Sequence, residues 1–67
     1  MVYIHDKYQE DFRHLIDKYN FDYELVSDGR RGAYYRVSTN DKSALTELSD
    51  LGELSEKLLE KESMGEE

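Results

Sequence analysis

The sequence predicts a small single-domain α+β fold in the order helix, β-hairpin, helix. Three observations lead there. Residues 7–19 carry apolar side chains at helical spacing, residues 21–25 and 33–37 alternate apolar with polar, and residues 41–61 return to helical spacing. These elements form an antiparallel sheet covered on one face by two helices. Val2-Tyr3-Ile4, ahead of the first helix, is long enough for one short extra strand.

In the first helix Tyr8, Phe12, Leu15, Ile16 and Tyr19 recur at i, i+4, i+7, i+8 and i+11. At helical pitch they fall within a stripe roughly 100° wide. Asp6 with Gln9 three residues on has the spacing of a capping box, and Asn20 suits the left-handed residue that closes a helix.

The hairpin follows from two alternations. Phe21, Tyr23 and Leu25 face one way with Asp22 and Glu24 between them, and Ala33, Tyr35 and Val37 repeat the pattern. Both apolar sets share a face only if Leu25 stands opposite Tyr35 and Tyr23 opposite Val37. That register leaves about five residues, Asp28-Gly29-Arg30-Arg31-Gly32, as the connection, with the glycines free to take positive φ. A two-residue Asp-Gly turn misaligns the faces and is rejected.

Asn40 is placed to cap a second helix running from Asp41 to about Lys61. Its apolar residues, Ala44, Leu45, Leu48, Leu51, Leu54, Leu58 and Leu59, spread over roughly 180° of the wheel. Gly52 in their midst leaves room for a kink or break. The expected core is Tyr8, Phe12, Leu15, Ile16, Tyr19, Tyr23, Leu25, Tyr35, Val37, Leu48 and Leu51. Residues 1–61 form the domain, and residues 62–67, without periodicity, form a frayed tail.

Size and composition narrow the function. A chain of 67 residues buries only about 60% of the surface it exposes when unfolded, so stability is scarce. There is no cysteine, which removes disulfides and thiolate metal sites. No apolar run is long enough to span a membrane and no signal pattern opens the chain, so a cytoplasmic location is expected. Catalysis is not expected. His5 and His14 stand nine residues apart without converging ligands, Ser27, Ser38 and Thr39 lack a histidine at motif spacing, and no glycine-rich phosphate loop is present. No cofactor and no metal are expected either.

Charge points to partners. Residues 1–40 hold seven acids and six bases, residues 41–67 nine acids and three bases, so almost all of the net −7 sits in the second helix and the tail beyond it. Asp50, Glu53, Glu56 and Glu60, flanked by Glu47, line one outer face of that helix, and only Glu53–Lys57 makes a favourable i,i+4 pair. Such a ridge is a solvated face in most proteins. Its carboxylates also rise ~4.5–6 Å apart along the axis, a loose match to the phosphates of one DNA strand at roughly 3.4 Å. The first expectation is therefore a binding module that regulates or inhibits a protein with a basic surface, in the manner of small acidic DNA mimics that phages and mobile elements direct at nucleic-acid enzymes. This is a class-level analogy from size and charge.

Two other surfaces compete. Leu45, Leu54, Leu58 and Leu59, at the edges and end of the leucine stripe, offer a homodimer or adaptor interface unless the sheet covers them. Arg30, Arg31, Tyr34 and Arg36 at the hairpin form a basic, aromatic tip able to hold phosphates weakly, but the acidic chain disfavours nucleic acid as a partner.

Overall fold

In a computed structural model the fold is α+β and residues 1–65 are described. The chain begins with a strand: β1 (Val2–His5), then a 3-10 turn over Asp6–Tyr8, α1 (Gln9–Tyr19), β2 (Asp22–Gly29), β3 (Gly32–Ser38) and α2 (Lys42–Gly65). The order helix, hairpin, helix is thus corrected to strand, helix, hairpin, helix. The sheet is antiparallel with order β1-β3-β2, so the N-terminal strand pairs with the second arm of the hairpin and makes it central.

Several local devices differ from those expected. His5 caps the 3-10 turn, its Nδ1 accepting from the Lys7 N–H at 3.0 Å. Gln9 turns to the sheet, where its Nε2 donates to the Ile4 carbonyl at 3.1 Å and its Oε1 accepts from the Tyr35 hydroxyl at 2.9 Å. No capping box forms with Asp6, because Gln9 is engaged by Ile4 of β1 and Tyr35 of β3. Asn20 does close α1 in the left-handed conformation, at φ 53°. Asp41, rather than Asn40, caps α2: its Oδ1 accepts from the N–H groups of Ser43 and Ala44 at 2.9 and 3.4 Å.

The hairpin holds the expected pairs, Leu25 opposite Tyr35 and Tyr23 opposite Val37, by an unexpected route. The connection is two residues, Arg30-Arg31, with Gly29 paired to Gly32, and the ladder shifts by one residue between Leu25 and Ser27. Val26 is the extra residue of a β-bulge. The bulge restores the facing that a short turn alone destroys. Neither glycine has positive φ; Arg31 does, at 56°. The glycines are there for space. A Cβ on Gly32 lies 2.5 Å from the Ile4 carbonyl oxygen, and one on Gly29 lies 2.7 Å from the Tyr34 ring.

The core gathers Ile4, Phe12, Phe21, Ala44, Leu48 and Leu51, with Val2, Tyr8, Leu15, Ile16, Tyr19, Tyr35 and Val37 half-buried around it. Phe12 is its aromatic centre, 4.6 Å from the Tyr35 ring and 5.6 Å from that of Tyr23. Tyr23 and Leu25, expected inside, remain 50% and 54% exposed. The reason is where the helices lie. α2 packs chiefly on β1, and α1 packs on α2 and β1, so β2 is left largely uncovered.

α2 is continuous through Gly52, where a Cβ meets the Val2 Cγ2 at 2.7 Å. Close approach to β1, not a kink, accounts for that glycine. The first half of α2 meets Ile4 through Ala44 and Leu48, whereas Glu62 reaches His5, on the opposite face of β1. Of the expected tail, residues 62–65 continue α2, and residues 66 and 67 lie outside the described residues.

Candidate partner-binding surface

The phase of α2 decides what it presents. Ala44, Leu48, Leu51, Gly52 and Ser55 recur at i, i+4, i+7, i+8 and i+11 and are all buried against β1 and α1. The outer face then carries Asp50, Glu53, Glu56 and Glu60, every one exposed. Glu53 accepts the Lys57 ammonium at 3.3 Å. Among the described residues Asp50, Glu56 and Glu60 make no ion pair, so most of the ridge is uncompensated.

Glu47 is separate from this ridge. It is half-buried and accepts a hydrogen bond from the Tyr19 hydroxyl, with the Lys18 ammonium 3.6 Å away. That hydrogen bond to a carboxylate raises the Tyr19 pKa, and the nearby Glu47 charge raises that of Lys18. Glu47 therefore ties α2 to α1.

The four leucines do not share one patch. Leu45, 46% exposed, lines a groove of about 570 Å³ between α2 and the sheet with Val2, Tyr34 and Val37. Leu54, 49% exposed, lines a second groove of about 410 Å³ between the helices, with Asp11, His14 and Leu15. Leu58 and Leu59 are half-buried. The first groove depends on β1 lying beside α2, a contact that leaves no mark in sequence spacing.

At the hairpin, Tyr34 packs on Tyr3 with ring centroids 5.2 Å apart, and the Tyr3 hydroxyl donates to the Arg30 carbonyl. Arg31 reaches Glu62 at 3.6 Å and Arg36 pairs across the strands with Glu24 at 3.5 Å. Arg31 and Arg36 are thus engaged with the protein's own carboxylates. His14 is exposed and His5 is buried and hydrogen-bonded. Among the described residues no group of three or more His, Cys, Asp or Glu could hold a metal ion, and no helix is long and apolar enough to cross a membrane.

No protein-family model matches the chain, and no curated protein or solved structure matches it either.

Proposed function

We propose that this protein is a non-catalytic binding module that regulates or inhibits a partner bearing a basic surface, with the outer face of α2 as the contact. The observation that carries the reading is the exposed row Asp50, Glu53, Glu56 and Glu60 on an unbroken helix, relieved by one lysine pair. A helix clamped along its inner face holds its carboxylates at fixed intervals, and such a rigid negative row offers a basic groove a match resembling a nucleic-acid backbone. A nucleic-acid-handling protein is therefore the partner class of choice.

The test is capture from lysate with the wild type and with Glu53→Lys/Glu56→Lys, each bound protein identified by mass spectrometry. The reading expects a basic partner that is lost in the variant while circular dichroism is unchanged, and wild-type capture that weakens with salt. Capture that the double reversal leaves intact overturns it.

A further inference from the structure

The two edges of the sheet are treated differently. α2 lies along β1, whereas among the described residues β2 pairs only with β3 and leaves its outer row of backbone N–H and C=O groups without a strand partner. β2 is eight residues long and exposed throughout except at Gly29. Neither proline nor lysine guards it; its blunting devices are the bulge at Val26 and the carboxylates Asp22, Glu24 and Asp28, which repel an acidic strand but not a basic one.

The side chains along this edge are sorted by face. Tyr23 and Leu25, opposite Val37 and Tyr35, stand on the helix side and stay half-exposed, with Phe12 of α1 against one edge of the Tyr23 ring. Asp22 and Glu24 stand on the other side. Asp28, beyond the bulge, pairs with Ala33 and so stands on the side of Tyr23 and Leu25, at the turn end of the edge. We propose that the β2 edge takes up an extended basic segment of a partner protein as a fourth strand. Main-chain hydrogen bonds supply the pairing, and the faces supply the selectivity. Alternation of apolar and cationic residues puts one set beside Tyr23 and Leu25 and the other beside Asp22 and Glu24. A second copy is the poorer occupant, since β2 against β2 brings the three carboxylates of each strand to one seam.

The probes are a short peptide alternating valine with arginine and a control alternating valine with glutamate. Each is titrated into the full chain with residue-resolved amide shifts and hydrogen exchange as readouts. The expected result is slowed exchange along β2 and about tenfold tighter binding of the arginine peptide. Asp22→Lys/Glu24→Lys should reverse that preference, while Glu53→Lys/Glu56→Lys leaves β2 protection in place and so separates this edge from the α2 ridge. Equal affinity for both peptides, shifts confined to α2, absence of β2 protection, or a peptide-free dimer that protects β2 each overturn the proposal. The wild type with the two peptides decides the matter even if a variant fails to fold.

Discussion

The imidazole Nε2 of His5 lies 2.7 Å from Oε1 of Glu62, joining the last residue of β1 to the final turns of α2. Because Nδ1 accepts from the Lys7 N–H, the ring proton sits on Nε2 and is donated to the carboxylate. This contact and the nearby Arg31 guanidinium hold the end of α2 against the sheet edge.

The Glu62 carboxyl is held below its ordinary value of 4.5, chiefly by the hydrogen bond from His5, with the Arg31 and Lys7 charges adding to it against a desolvation cost. A carboxyl with a depressed folded pKa stabilises the fold above its unfolded value, and that contribution disappears as pH falls through the folded one. Wild type should therefore exceed Glu62→Gln in urea midpoint near neutrality, with the gap closing as pH drops below 4.5. A gap that does not change across that range contradicts the assignment.

Two glycines should respond differently to alanine. At Gly32 the new Cβ meets the Ile4 carbonyl, which the sheet holds in place, so Gly32→Ala should cost about 2 kcal/mol in denaturation. At Gly52 the obstacle is a Val2 methyl near the chain start, and alanine gains ~1 kcal/mol of helix propensity. Gly52→Ala should stabilise a Val2→Ala background more than it does the wild type, a coupling that a double-mutant cycle measures directly.

Ser55 is fully buried and its hydroxyl has no hydrogen-bond partner among the described residues. Replacing it with alanine removes an unsatisfied polar atom and adds a better helix former. Ser55→Ala should raise stability by about 1 kcal/mol, read as a shift in melting temperature. A loss would mean that the hydroxyl has a water partner.

Alkaline pH should weaken the fold through two tyrosines. Burial raises the Tyr3 pKa, with help from Tyr34, Asp6 and Glu62, and the hydrogen bond to Glu47 raises that of Tyr19. For an acid whose folded pKa is raised, the stabilisation is complete below the unfolded value and is lost as pH climbs through the folded one. Stability should thus fall above pH 10, and less steeply in Tyr3→Phe or Tyr19→Phe. Equal slopes in all three proteins contradict this.

Helical and strand spacing located α1, the two hairpin arms and α2, and the matching of apolar faces gave the Leu25–Tyr35 pair. Those features are legible because each depends on residues close in the chain. The Val26 bulge was not legible, since a short turn with a bulge and a longer loop satisfy the same facing rule. Nor was the role of Gly32, whose constraint comes from Ile4, twenty-eight residues earlier in the chain. The Asp50–Glu60 ridge could be read from spacing, whereas the departure of Glu47 to Tyr19 could not.

By itself the sequence determined the periodicity of each element, the acidic second half and the absence of cysteine. The tertiary structure decided that β1 pairs with β3, that α2 packs chiefly on β1, and that Tyr23 and Leu25 stay half-exposed on an open strand. The physical reason is that periodicity specifies which face of an element is apolar, but not which neighbour covers it. That choice is made by close approach at Gly32 and Gly52, where only an absent side chain lets β1 come near enough.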